Sequence, residues 1–291
     1  MQSASPTFED LRPDLFRLAY RMLGSRADAD DILQEAFLRW SNVEIDNVDS
    51  PKAFLSSIVT RLCIDRRRSI DARKESYIGP WLPEPIVESP QAAPDHRLET
   101  AESVSMALLV LLENLSPMER AAYLLRRVFD YDYAELGRIL SQSEANCRQL
   151  VSRAEKHITD RRPRFETTTE QAEQITETFL QSCITGDYAA LTRLLAEDAV
   201  TYSDGGGKAL AALAPIVGPD RIARFLLGIA KKQPEGSEVR RVQVNGQPGI
   251  MAIHAGIVQF VLTLDIVDGQ IANCYIIRNP DKLPPPFPSQ A

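Results

Sequence analysis

Residues Asp132 to Ile158, DYAELGRILSQSEANCRQLVSRAEKHI, constrain the chain most, because two helical patterns lie here almost end to end. Tyr133, Leu136 and Leu140 give the first an apolar side. In the second, Cys147, Leu150, Val151, Ala154 and Ile158 recur at steps of three and four, so they share one helical face. Between them Ser141-Gln142-Ser143 offers hydroxyl N-caps for the second helix. This is the layout of a helix-turn-helix.

In that motif the second helix lies in the major groove of DNA. Its outward face here carries Arg148, Gln149, Ser152, Arg153 and Lys156. Arginine reaches guanine O6 and N7 in bidentate fashion, glutamine pairs with adenine, and lysine suits phosphate. A solvated helix hairpin carries the same residue types, so the motif needs support from elsewhere.

Charge supplies part of it. The net charge of −7 argues against a nucleic-acid partner, but counterions are displaced by local patches rather than by totals. Arg61, Arg66, Arg67, Arg68, Arg73 and Lys74 face only Asp65 and Asp71 in one stretch. Arg148, Arg153, Lys156, Arg161, Arg162 and Arg164 face only Glu155 and Asp160 in another. Two basic patches in an acidic chain suggest DNA held at two places. Cys63, Cys147, Cys183 and Cys274 are scattered, with no CxxC and three histidines in the chain. Neither a metal site nor a disulfide framework is expected, and a reducing cytoplasm fits best. No apolar run approaches the length of a membrane span, and the start MQSASPTFED lacks the pattern of a signal peptide. At 291 residues there is room for two or three domains.

Taken in order, Leu11, Leu15, Leu18, Ala19, Met22 and Leu23 form a helical stripe ended near Gly24, and Ser25 with Asp28 starts the next helix. That helix buries Ile32, Leu33, Ala36, Phe37 and Trp40, and presents Asp31, Gln34, Glu35 and the apolar Leu38 on its other side. Ser50-Pro51 opens a third helix, expected to bury Phe54, Leu55, Ile58, Leu62 and Cys63 and to leave Lys52, Arg61, Arg66, Arg67 and Arg68 polar. Pro80, Pro83, Pro85, Pro90 and Pro94 then exclude a continuous helix. The connector is nonetheless expected to bury Trp81 and Leu82 against a domain. Glu102 to Leu115 reads as a buried helix, and Ser116-Pro117 caps the one leading into the helix-turn-helix.

The last segment differs in kind. Residues 170–204 read as two helices jointed at Gly186-Asp187, and another helix follows at about Asp220 to Lys232. Four strand-like runs come after it, separated by Asn-Gly, Ala-Gly and Asp-Gly turns. Helices followed by a curled antiparallel sheet make an α+β cone with a pocket inside.

The order of these pieces resembles extracytoplasmic-function (ECF) sigma factors of bacterial RNA polymerase. Asp14 to Ser69 looks like their region 2 and Ser103 to Arg162 like their region 4. The last segment is similar to SnoaL-like domains, which share the nuclear-transport-factor-2 fold. Three short motifs, YIGPWLPEP at Tyr77–Pro85, DGGGK at Asp204–Lys208 and NPDKL at Asn279–Leu283, match the SigJ-type subgroup that carries such a domain as a C-terminal extension. The resemblance implies two all-α sigma domains at 8–74 and 103–164, a linker at 75–102, and a regulatory α+β domain at 165–291.

It also implies roles. Asp31, Gln34, Glu35 and Leu38 would dock on the β′ clamp helices of core RNA polymerase, whose β flap is a further partner. Lys52, Arg61, Asp65, Arg66 and Arg68 would serve the −10 element, with the loop Glu44 to Val48 near a flipped-out base. Arg148, Gln149, Ser152, Arg153 and Lys156 would read the −35 element. Promoter boxes about 17 base pairs apart are separated by about 58 Å. A connector of about 27 residues spans up to roughly 90 Å when extended.

Trp81, Leu82, Pro83, Asp204, Gly205, Gly206, Gly207, Lys208, Asn279, Pro280, Asp281 and Lys282 are read as regulatory interdomain contacts, with the DGGGK loop expected against the sigma modules and Asp204 and Lys208 available for pairing. DGGGK lacks the spacing of a phosphate loop. For an isomerase-like site, Tyr202, Asp204, His254 and Asp265 are the candidates, with His254 expected in the core. The reading adopted is a non-enzymatic sigma factor without cofactor, membrane contact or metal, leaving room for an unknown small-molecule ligand in the cone. The competing readings are a one-component DNA-binding regulator with a ligand-sensing domain, and a bifunctional SnoaL-like isomerase or cyclase.

Overall fold

In a computed structural model, residues 4–44, 48–88, 104–159 and 167–285 are described, and they fall into two units. Unit 1 comprises Met1–Ser76 and Leu109–Arg162; unit 2 comprises Tyr77–Leu108 and Pro163–Ala291. The four segments read from the sequence are thus grouped in pairs: both helical modules share one unit, and the proline-rich connector belongs with the C-terminal segment. Arg161, Arg162 and Arg164 of the second basic patch, Pro90 and Pro94, and the centre of the Glu44–Val48 loop lie outside the described residues.

Unit 1 is helical. Helix α1 (Ala4–Leu23) is followed by α2 (Arg26–Trp40), whose N-cap Ser25 Oγ accepts from Asp28 N at 3.2 Å. Helix α3 (Pro51–Lys74) is capped by Ser50, with proline in its first turn. These starts are local, set by a hydroxyl that satisfies an otherwise orphaned amide. α3 touches α1 and α2 as well as the helices of the second module, so it is covered from more than one side. That corrects its burial. Arg67, expected on the polar side, is 2% exposed, whereas Phe54 is 36% exposed beside Trp40 and Ile58 is half-buried.

The second module begins with a short helix, α4 (Met106–Leu112), where a run from Glu102 to Leu115 was expected. Residues 89–103 lie outside the described residues, and the chain turns at Glu113-Asn114-Leu115. Helix α5 (Pro117–Arg127) has a capping box between Ser116 and Glu119. Helices α6 (Tyr133–Leu140) and α7 (Glu144–Thr159) form the helix-turn-helix, with Ser141 left-handed at φ 54°. Cys147, Leu150, Val151, Ala154 and Ile158 are all buried, as their spacing requires.

Unit 2 is a seven-stranded sheet with helices over one face. Its helices are α8 (Thr169–Thr185), α9 (Tyr188–Leu194) and α10 (Pro219–Ala230), with Gly186 and Asp187 forming the expected joint. The strands are β1 (Val87–Glu88), β2 (Leu195–Asp204), β3 (Ile216–Val217), β4 (Glu238–Val244), β5 (Gln247–His254), β6 (Ile257–Val267) and β7 (Gln270–Ile277). They are ordered β1-β4-β5-β6-β7-β2-β3. The three predicted hairpins turn at Asn245-Gly246, Ala255-Gly256 and Asp268-Gly269, every residue with positive φ, as a right-twisted two-residue turn demands.

Three strands were not foreseen, the two-residue β3 among them. Residues 195–204, read as helix, form β2, which runs parallel to β7, so the sheet is mixed rather than purely antiparallel. The connector supplies β1, paired antiparallel with β4 at Val87↔Val244. One face of the sheet packs Ile250, Leu262, Leu264, Cys274 and Ile276 against Phe179, Leu191 and Ile222 from the helices. The other packs Val242, Val244, Met251, Ile253, Val258 and Val261, with Val87 and Leu283 laid against them. His254, expected in the core, is half-buried, its Nδ1 3.4 Å from Ser237 Oγ.

Candidate functional site

The outward face of α7 is open. Arg148, Gln149, Ser152, Arg153 and Lys156 are all exposed. Arg148 pairs with Glu144 at 2.9 Å and its guanidinium sits 4.8 Å from the Tyr133 ring centroid, while Arg153 Nε lies 3.5 Å from Glu119. Such exposed pairs contribute little and yield readily to a phosphate or base. The angle of the motif depends on Gly137, where a Cβ would stand 2.8 Å from the Gln142 carbonyl oxygen. The sequence reading passed over this glycine; a glycine inside a helical pattern one turn before the joint was its signal.

On α2, Asp31, Gln34, Glu35 and Leu38 form one exposed strip, and Leu38 is 64% exposed. It is not electrically isolated. Arg66 of α3 bridges Asp28 and Asp31, at 2.9 Å to each. Of the other α3 candidates, Asp65 and Arg68 pair with each other in solvent at 3.0 Å. Arg61 donates to Ser141 Oγ at 3.0 Å, at the joint of the helix-turn-helix, and the Lys52 ammonium lies 5.9 Å from the Tyr131 ring centroid. Two of the five candidates on α3 therefore meet the second module directly.

Beneath them lies a buried charge cluster that sequence reading missed. Glu113, between α4 and α5, receives Arg67 Nη1 and Nη2 at 2.9 and 2.5 Å, Arg120 Nη1 at 2.8 Å, and Lys74. Arg120 is fully buried and also donates from Nε to the Arg21 carbonyl at 2.8 Å. Burial alone would raise the Glu113 pKa, but Arg120, Arg67 and Lys74 together hold it well below the usual carboxylate range. Burial brings the Lys74 pKa down to about 8, against the pull of Glu113. At another point between α3 and the second module, Ser56 Oγ and Tyr131 Oη share a buried hydrogen bond of 2.8 Å. These contacts join α1 and α3 to the second module.

In unit 2 the three short motifs converge. Asp204, fully buried at the end of β2, accepts from Tyr77 Oη at 2.6 Å on one oxygen; the other takes Leu82 N at 2.8 Å and Lys282 Nζ at 2.7 Å. Lys282 also donates to the Leu82 carbonyl at 2.6 Å, and its ammonium lies 4.1 Å from the Trp81 ring centroid. Asn279 Nδ2 donates to Tyr77 Oη at 2.8 Å. Burial, with the adjoining Asp204 carboxylate, pushes the Tyr77 pKa up, so its hydroxyl stays a donor. Lys208 and Asp281 add a 2.5 Å ion pair between DGGGK and NPDKL.

Why the loop needs its glycines is geometric. At Gly206, with φ 58°, a Cβ would overlap Asn279 Nδ2 and stand 2.9 Å from Tyr77 Oη; at Gly207 it would meet Ile78 Cδ1 at 2.8 Å. Leu82 and Pro83 are buried and Trp81 half-buried, and Pro280 and Asp281 open the short 3₁₀ turn. The connector is held further on: Ile86 N donates to Asn245 Oδ1 at 3.1 Å, and Asn245 N to the Ile86 carbonyl at 2.8 Å. Asn245 was read only as a turn residue.

The isomerase candidates are not assembled. Asp204 is consumed by its three donors, Tyr202 stacks on Tyr275 at 5.7 Å, and Asp265 accepts from Asn273 at 2.8 Å. His254 stands apart beside Ser237. Among the described residues no cluster of His, Cys, Asp and Glu could hold a metal ion, and no helix is long and apolar enough to cross a membrane.

Comparison with known proteins gives this arrangement its place. Residues 7–73 match Sigma-70 region 2 and residues 105–158 match Sigma-70 region 4. The chain is 34% identical over 287 residues to the ECF RNA polymerase sigma factor SigJ of Mycobacterium tuberculosis, covering 94% of this chain and 91% of that relative. It belongs to the extracytoplasmic-function sigma factors. A probable ECF RNA polymerase sigma factor of the same species, SigI, is 29% identical over 277 residues, covering 94% of this chain and 92% of the relative. The crystal structure of the M. tuberculosis SigJ superposes with a TM-score of 0.77 at 32% identity, covering 94% of this chain and 96% of that one. As an ECF sigma factor, the protein is an alternative initiation factor that directs RNA polymerase to promoters, and not an enzyme. Region 2 is α1–α3, region 4 is α4–α7, and the C-terminal α+β extension shares unit 2 with the linker.

Proposed function

We propose that the SnoaL-like extension of this sigma factor regulates initiation by gripping the linker between regions 2 and 4. The observation that carries the reading is Asp204, whose carboxylate takes Tyr77, Leu82 and Lys282 at once. Region 4 can reach a −35 element while region 2 works at −10 only if the linker pays out. A linker tied at Tyr77, Leu82 and Ile86 has lost much of its reach.

Region 2 and region 4 would read their elements with the faces already described. Arg148, Gln149, Ser152, Arg153 and Lys156 are assigned to −35, and Lys52, Arg61, Asp65, Arg66 and Arg68 to −10. Asp31, Gln34, Glu35 and Leu38 are assigned to the β′ clamp helices of core polymerase. The contacts of Arg61 with Ser141 and of Glu113 with Arg67 belong, in this reading, to a resting form in which the two modules are packed together. Binding to polymerase would separate them, freeing Arg61 from Ser141 and Lys52 from the Tyr131 ring. Work of this kind is done in the bacterial cytoplasm.

The test is run-off transcription with core polymerase, comparing the full chain with a form ending at Arg164 and one lacking the tail from Asn279. Altered yield or promoter choice in either truncation supports the grip. Unchanged transcription in both rejects it. Footprinting without core polymerase excludes a one-component regulator if the full chain leaves its promoter unprotected.

A further inference from the structure

A cavity of about 450 Å³ opens between α8, α10 and the sheet of unit 2, within the range of small-molecule sites. Phe179, Leu226, Ile250, Phe260, Leu262 and Ile276 make its walls apolar. Cys183 adds no charge, since burial pushes its thiol pKa up to about 12. Among the described lining residues there is no carboxylate, and there are two cations, Lys231 at the exposed end and Arg278.

Arg278 is the unusual member. It follows Ile276 by two residues past the end of β7, on the same side. Its Nη1 donates to the Leu210 carbonyl at 2.7 Å, but Nε is buried without a hydrogen-bond partner. A buried donor on a cation without a partner is costly, and an acceptor oxygen in the cavity would meet it. Ile184 and Val239, both lining the cavity, are 62% and 37% exposed, which leaves its mouth apolar.

We infer that this cavity binds a small carboxylic acid with an apolar body, the carboxylate meeting Arg278 and the body filling the space among Phe179, Phe260 and Leu262. Charge decides the head and lining decides the tail. The site also has a route to the linker: Arg278 N donates to the Asp204 carbonyl at 2.7 Å, and Leu210 lies two residues beyond DGGGK. Occupancy therefore acts on the residue that holds Tyr77, Leu82 and Lys282. This coupling rests on the proposed grip of the linker; the binding site itself does not.

The test uses the full chain carrying Trp40→Phe, which leaves Trp81, beside Lys282, as its one tryptophan. Decanoate, 4-phenylbutanoate and decan-1-ol, each below its micelle concentration, are titrated by calorimetry and by Trp81 emission. Saturable binding of at least one acid is expected, with the alcohol at least tenfold weaker and a shift in Trp81 emission. Arg278→Gln should weaken the acid at least tenfold and leave the alcohol unchanged. Ile184→Glu, at an exposed position that folding tolerates, should also weaken the acid selectively. No saturable binding of either acid, equal binding of acid and alcohol, or indifference to both substitutions overturns the site. Acid binding with Trp81 emission unmoved retains the site and overturns the coupling.

Discussion

Replacing Glu113 by Gln should loosen region 4 from region 2 more than any other single surface-neutral change. The substitution keeps the shape and removes the charge that faces Arg67, Arg120 and Lys74. Arg67 and Arg120 have side chains 3% and 0% exposed, so neither can recover its hydration where it stands. Removing one partner from a buried ion pair costs about 3–5 kcal/mol, and two of the three cations here are buried as fully as that range assumes. Set against a typical domain stability of about 5–15 kcal/mol, this is a large fraction. Urea titration followed by far-ultraviolet circular dichroism at pH 7 should show the midpoint falling. A lower slope as well would mean that the modules part before either unfolds. The pH dependence has a definite sign. The Glu113 pKa is depressed in the fold from an ordinary value of 4.5, so its contribution is complete above about that pH and is lost as the pH falls below it. The Gln variant should lack that part of the acid sensitivity. A cost below about 1 kcal/mol, the range of an exposed pair, with an unchanged acid limb, would refute the reasoning.

Other expectations follow from the two surfaces and the linker grip. Arg148→Ala and Arg153→Ala should each weaken promoter binding of the holoenzyme by roughly 1–3 kcal/mol where the side chain reads a base. Binding measured on −35 variants checks this, since an equal loss on every sequence would mark phosphate contacts instead. Gly206→Ala should free the linker, because the added methyl overlaps Asn279 and crowds Tyr77; faster proteolysis between Tyr77 and Pro85 is the readout. Tyr131→Phe removes a buried hydrogen bond to Ser56 and should cost about 1 kcal/mol in urea titration. Lys74, whose pKa is brought down to about 8 by burial, is ordinarily protonated up to 10.5, so packing in unit 1 should strengthen as pH rises between those values. Hydrogen exchange of the α3 amides across that range tests it.

Much of the fold was legible because its signals are local. Ser25, Ser50 and Ser116 announce helix starts through their own hydroxyls, and Asn-Gly, Ala-Gly and Asp-Gly turns mark the hairpins. β2 escaped because its alternation is broken: Glu197 and Asp198 are both exposed, and the register shifts between Leu195 and Val200. β1 is two residues long and exists only through its pairing with β4. The buried cluster at Glu113 was out of reach for another reason. Arg67 sits among residues that read as a basic helix face, and nothing near it in sequence tells of a carboxylate 46 residues away. The linker site was reachable only through its three motifs, since each of Asp204, Asn279 and Lys282 is an ordinary polar residue until the fold brings them together. Arg278, one of the two cations lining the cavity, adjoins one of those motifs and was passed over for it.

The most direct test of the linker grip is multiple-round run-off transcription from a promoter mapped with this sigma factor and core polymerase. The full chain is compared with the double variant Asp204→Ala, Lys282→Ala, which removes both charges of the grip and leaves neither unpaired. With folding matched by circular dichroism, the account predicts a severalfold rise in transcript from the variant, because region 4 is no longer short of reach. Equal transcript from the two proteins at every polymerase concentration would contradict it.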